Sequence, residues 1–91
     1  MINKKLQDAI NAQINAELWS AYLYLSMATN FHEMGLGGIA NWFEVQFKEE
    51  QDHAMIFYNY LVSRGGRVEL KAIDAVKTKW ESPLEAFEDT L

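Results

Sequence analysis

Between Asn3 and Met34 the chain carries neither glycine nor proline, and apolar side chains recur at Leu6, Ile10, Ile14, Leu18, Ala21, Leu25 and Ala28. Steps of three and four residues return to one face of an α-helix, so the spacing predicts a helix over 3–34. That is long against an average of about 11 to 12 residues. The run Gly35, Leu36, Gly37, Gly38 ends it, because glycine supplies the left-handed conformations that a helix stop and a tight turn need. A second stripe, Ile39, Phe43, Phe47, Ala54, Phe57 and Leu61, predicts a helix over 39–64, closed by Gly65 and Gly66. Over 67–81 the period is lost, and Val68, Leu70, Ile73 and Val76 are scattered among charges, which predicts an extended crossover. Ser82, Pro83, Leu84 and Glu85 then form a capping box with proline at the first helical position, predicting the start of a third helix over 83–91. There is no internal repeat and no low-complexity segment.

The fold class is therefore all-α. Two long helices joined by a short turn pack antiparallel as a hairpin, half of a four-helix bundle, followed by the crossover and the third-helix start. Residues 1–91 form one partial domain. A hairpin covers only one side of each apolar stripe, so the remaining apolar surface needs further helices. The third helix has a proper start and no end signal, so the expectation is a fragment, or a chain whose missing part comes from another chain.

Composition narrows the function. The 91 residues include eight basic and thirteen acidic side chains, a formal net charge of -5, 49% hydrophobic residues and no cysteine. Lack of cysteine excludes a disulfide scaffold and a thiolate zinc site. Net negative charge argues against binding nucleic acid, which rewards a basic surface. The N-terminal stretch lacks the apolar core of a signal peptide, and no stretch has the length of a membrane span, so a cytoplasmic location away from membranes is expected. Cations are the better-matched guests.

At ~100° per residue, Ile10, Ala21 and Ala28 fall within ~40° of Glu17, and Phe43, Ala54, Phe57 and Leu61 fall within ~40° of Glu50. Both carboxylates therefore sit at the centres of apolar faces, and His53, three residues after Glu50, lies beside it. Counted from Leu36, Glu17 is 19 residues back, while Glu50 and His53 are 14 and 17 residues on, so the three lie at nearly one height. An ionised, unpaired carboxylate on an apolar face costs several kcal/mol. No Lys or Arg occupies either inward stripe at that height, since Lys48 projects outward and Arg64 is near the far end. A metal ion is the compensator, and oxygen-rich donors with one nitrogen suit iron, manganese or zinc. The spacing Glu50-x-x-His53 puts both side chains on one helical face. With Glu17 it supplies half of the bundle-core constellation in which two Glu and two Glu-x-x-His sets hold two metal ions.

The stretches NAQINAELWSAYLYLSMAT (Asn11 to Thr29) and NWFEVQFKEEQDHAMIFYNYLVSRGGR (Asn41 to Arg67) closely resemble the first two helices of ferritins, bacterial non-haem ferritins above all. Resemblance continues through the crossover to Ser82 and Pro83, covering nearly all of this chain and the N-terminal half of a ferritin subunit. It implies a four-helix bundle with a long crossover between its second and third helices. Twenty-four such subunits form a shell that oxidises ferrous iron and stores it as a ferric mineral. Residue by residue, the resemblance implies that Glu17 is the terminal carboxylate of the first iron, Glu50 the bridging carboxylate and His53 the imidazole ligand. It gives Tyr24 the place of the tyrosine that hydrogen-bonds beside the centre, and Glu49 that of a ligand to the third iron site of bacterial members. The catalytic set is then Glu17, Glu50, His53 and Tyr24, and the metal set Glu17, Glu50, His53 and Glu49. The family's other ligands lie on the third and fourth helices, the first of them about one turn after Leu91. As given, the chain either is a ferritin fragment or completes the centre by pairing two hairpins about a two-fold axis.

Simpler roles compete at each position. Glu17 on a stripe edge could snorkel to solvent, His53 could be a hydrogen-bonded helical histidine, Tyr24 a core residue and Glu49 a solvated side chain. His32, near the turn, reads as structural or exposed. Trp19, Tyr22, Leu23 and Met27 form an apolar strip away from Glu17, expected to be a subunit contact. Met27, Met34 and Met55 do not match the methionine arrangement that binds haem in related bacterioferritins, so no haem is expected.

The resemblance implies iron storage and detoxification. In this reading a di-iron ferroxidase oxidises ferrous iron with dioxygen or hydrogen peroxide, in a homo-oligomer of at least two chains. Two other classes stay open: a di-iron peroxidase of the rubrerythrin type, and a non-catalytic helical association module or inactive truncated ferritin in which Glu and His only specify pairing. An association module should bind no metal.

Overall fold

The computed structural model describes residues 2–90. Met1 and Leu91, the two ends of the predicted domain and the last residue assigned to the third helix, lie outside the described residues. Helix α1 spans Lys4–Glu33, α2 spans Gly37–Ser63 and α3 spans Pro83–Asp89. Residues 66–80 between α2 and α3 form neither helix nor strand. The molecule is rod-like, 50 × 19 × 19 Å, because α1 and α2 lie side by side along most of their length.

Local chemistry accounts for each boundary. The Asn3 side chain accepts from the Leu6 N–H at 2.8 Å and caps α1. At the other end Gly35 takes φ +74°, the Gly35 N–H donates to the His32 carbonyl and the Leu36 N–H to the Phe31 carbonyl. That is a Schellman motif, and α2 ends in the same way, with Gly65 at φ +73° and the Gly66 N–H on the Leu61 carbonyl. The glycine run is used more economically than its composition suggests: Gly35 alone makes the stop, while Gly37 and Gly38 are the first residues of α2. Ser82 caps α3, accepting from the Glu85 N–H at 3.3 Å, with Pro83 at the first position. Glu85 reaches back to the Glu81 N–H rather than to Ser82 itself.

Two apolar clusters hold the hairpin. Near the turn, Met27, Ala28, Phe31, Ala40 and Phe43 pack with Trp80 and with Ala86 of α3. At the far end Ile10 and Ile14 pack on Leu61. Burying each large side chain of these clusters contributes about 1.5–3 kcal/mol. The sequence strip of Trp19, Tyr22, Leu23 and Met27 is divided by this packing. Met27 is fully buried in the cluster that also holds Trp80 and Ala86, and Leu23 packs against the same cluster, while Trp19 and Tyr22 stay exposed. Met27 is therefore core and not part of a surface strip.

The crossover is tied down by amides that the apolar pattern does not reveal. Gln7 accepts from the Arg67 N–H. Asn11 donates to the Arg67 carbonyl and accepts from the Glu69 N–H, and Asn15 accepts from the Lys71 N–H. Four helical residues advance about 6 Å, and two extended residues advance about 6.6 Å. Amides at every fourth position of α1 thus meet alternate residues of the extended crossover. Higher up, Asn30 brackets Trp80 through both its backbone N–H and its carbonyl, and Trp80 Nε1 donates to Asp89 at 2.7 Å. Asn11 and Asn30 are buried, and among the described residues no buried side-chain polar atom lacks a partner.

Candidate metal centre

Glu17 stands near the middle of α1 and Glu50 near the middle of α2, and hairpin packing brings them to one level. Each projects from an apolar face, and their side chains are only 16% and 19% exposed. His53, one turn after Glu50, completes the group: Nδ1 lies 3.6 Å from Glu17 Oε2 and 3.8 Å from Glu50 Oε2. One donor atom from each of the three lies within 4.8 Å of the others. An ion with bonds of about 2.1 Å to oxygen and nitrogen holds its ligand atoms roughly 3 to 4 Å apart. A small contraction would close the three donors on a cation. His53 is half exposed and lies on the open side of the hairpin, so the group is reached from solvent.

Electrostatics point the same way. Burial and the adjacent Glu17 push the Glu50 carboxyl up to about 7, against which the nearby His53 works. Glu17 is held below the usual carboxylate range, first by hydrogen bonding with Glu50 and then by the Gln13 amide and His53. The two shifts run in opposite directions, as they do when like charges stand in close contact. Among the described residues no Lys or Arg pairs with either carboxylate.

The sign of the pH effect follows. A folded-state value raised above the unfolded one stabilises the fold fully at low pH, and the contribution is lost as pH rises through the folded value. With chelator present, stability is therefore expected to fall between about pH 4.5 and 7 from the Glu50 contribution. Glu17 acts oppositely, but its contribution is lost only on acidification, as pH falls from about 4.5 through its lowered value. Urea midpoints at pH 5, 6, 7 and 8 check this, and a Glu50→Gln variant should flatten the profile.

Tyr24 and Glu49 stand beside the three donors. Tyr24 is half buried, its ring 6.1 Å from that of Phe43. Its hydroxyl is pushed up by burial and then by the charges of Glu50 and Glu49. Glu49 is exposed and is not in the three-donor group. His32 lies apart at the turn, exposed, with Nε2 3.4 Å from Glu44. One residue beside the centre escaped the sequence reading: the Gln13 amide donates to Glu17 Oε1 at 2.8 Å. Its signal is the i, i+4 spacing from Glu17, which on a long helix is no different from that of any solvent-facing glutamine.

Known proteins share this arrangement of helices. The family described as Ferritin-like domain matches residues 7–91. The bacterial non-heme ferritin of Bacteroides fragilis is 49% identical over 88 residues, covering 97% of this chain and 55% of the relative. That of Staphylococcus aureus is 40% identical over 91 residues, covering all of this chain and 55% of its own length. A solved open-pore ferritin from the hyperthermophilic archaeon Archaeoglobus fulgidus superposes with a TM-score of 0.94 at 50% identity, over 98% of this chain and 55% of that one. An engineered closed form of the same archaeal ferritin gives 0.95. The chain thus spans about half the length of the relatives it matches. With that family matched from residue 7 onward and half of all positions shared with the archaeal structure, this chain belongs to the ferritin family.

Proposed function

We propose that this chain supplies the first half of an iron-storage and ferroxidase unit. Glu17, Glu50 and His53 take up ferrous iron as substrate, for oxidation by dioxygen or peroxide and deposition as a ferric mineral. The observation that carries the reading is the convergence of two carboxylates and an imidazole on otherwise apolar helix faces, with no Lys or Arg among the described residues to balance them. A divalent cation removes both the desolvation cost and the carboxylate repulsion.

The chemistry asks little of the protein beyond binding and charge. Each ferrous ion gives up one electron, and hard carboxylate oxygens favour the ferric product over the ferrous substrate. By its resemblance to the family, Glu50 is read as the carboxylate that two ions would share, with Glu17 and His53 on the first. Tyr24, which lies within the field of Glu50 and Glu49, is read as the tyrosine that hydrogen-bonds beside the centre, and Glu49 offers an exposed carboxylate for incoming or departing iron. The acidic balance of the chain draws cations toward the open face. The names of the relatives support this reading, since those aligned across the whole of this chain are non-heme ferritins.

The test is an anaerobic ferrous titration of the chain, followed by admission of air. Saturable uptake of about one iron per chain, then a ferric absorbance band, is the expected result. Absence of saturable uptake with helical circular dichroism intact would leave the three donors as a pairing device only.

A further inference from the structure

We propose that Gln13 is a positioning residue for the metal centre, holding one oxygen of Glu17 so that the other is presented to the cation; this rests on the metal-binding reading above. The two oxygens of Glu17 have different surroundings. Oε1 accepts the Gln13 amide at 2.8 Å, and Oε2 faces His53 Nδ1 at 3.6 Å. Only the nitrogen of the amide can donate to a carboxylate, so chemistry fixes which way round the Gln13 side chain lies.

A carboxylate free to turn offers an ion either oxygen, or both as a chelate. With Oε1 held, Glu17 binds through Oε2 alone, on the side shared with Glu50 and His53. Gln13 does this without charge. A lysine or arginine in its place would neutralise Glu17 and compete with the cation, whereas a neutral amide orients the ligand and leaves its charge for the metal. The spacing suits the task, since residues four apart on a helix are neighbours. Gln13 is exposed, and Glu17 is its only hydrogen-bonding side chain among the described residues. It therefore has no core to support, and its placement is accounted for by the carboxylate it holds.

Partners that orient metal ligands typically change affinity by 10–100-fold when removed. The experiment is Co2+ binding to the 91-residue chain, followed by its visible d–d absorption, for the wild type, Gln13→Met and Glu17→Gln. Methionine keeps the length of glutamine and removes the donor. The expected result is a Kd for Co2+ weakened about 10–100-fold in Gln13→Met. The d–d band should also change in position and intensity, as Glu17 becomes free to chelate, while the thermal midpoint of the metal-free chain stays at the wild-type value. An unchanged band in Gln13→Met overturns the positioning role, whatever happens to affinity, provided Glu17→Gln has lost binding. If the wild type takes up no Co2+, or Glu17→Gln binds it as well as the wild type does, the metal-binding reading fails and this inference falls with it.

Discussion

Replacing Glu50 with glutamine is expected to weaken ferrous binding by at least about 100-fold, more than the loss of an orienting partner costs. The metal-free hairpin should meanwhile be no less stable, and above pH 7 more stable. Glutamine keeps the shape and removes the charge. In the metal-free chain that charge is a burden, because Glu50 is mostly covered, stands against Glu17 and has no Lys or Arg partner among the described residues. In the metal-bound state proposed above the same charge serves as a ligand. Affinity and stability should therefore move in opposite directions, the mark of a residue retained for function at some cost to the fold. Anaerobic ferrous titration and urea unfolding at pH 8 measure the two sides. A variant that loses stability and affinity together would mean that Glu50 is structural and that the binding loss is secondary.

The second large effect is in the core. Phe43→Ala is expected to lower the unfolding free energy by about 3–5 kcal/mol. Phe43 is fully buried, and four rings surround it: Phe31 at 5.6 Å, Phe87 at 5.4 Å, Trp42 at 5.1 Å and Tyr24 at 6.1 Å between centroids. It is the only side chain in this group that touches α1, its own helix and α3 at once, so truncation opens a cavity that none of the three can close alone. A loss of that size is a large part of the about 5–15 kcal/mol that stabilises a typical domain. Circular dichroism in urea gives the value. The control is Ile56→Ala, 65% exposed, for which a change within about 0.5 kcal/mol is expected. Equal losses at both positions would show that the packing near the turn does not dominate stability.

Much of the hairpin could be read from the chain because its causes are local. Apolar steps of three and four, an Asn cap, glycines at positive φ and a Ser-Pro start each act within a few residues of themselves. Glu17, Glu50 and His53 could be placed together for the same reason. Helical rise and rotation are fixed quantities, so two stripes joined by a short turn have only one way to meet. The glycine run was ambiguous, since the same residues can stop one helix or begin the next, and the Schellman bonds at Gly35 resolved it.

The amide ladder and the burial of Met27 could not be read in this way. Gln7, Asn11 and Asn15 pair with residues 54 to 60 positions away, and nothing in a polar residue on a helix announces a distant backbone as its partner. Met27 belongs by sequence to an apolar strip facing outward, and in the fold it is buried in the cluster that includes Trp80 and Ala86. The helices, their inward stripes and the level at which two carboxylates and an imidazole stand are legible in the chain, because each follows from short-range geometry and solvation. Only the tertiary structure decided which face of α1 the crossover covers, which apolar residues are core, and that Gln13 holds one oxygen of Glu17 while the other is left toward His53. Those depend on side chains meeting in space, and the free energy of such meetings is set by the partner as much as by the residue.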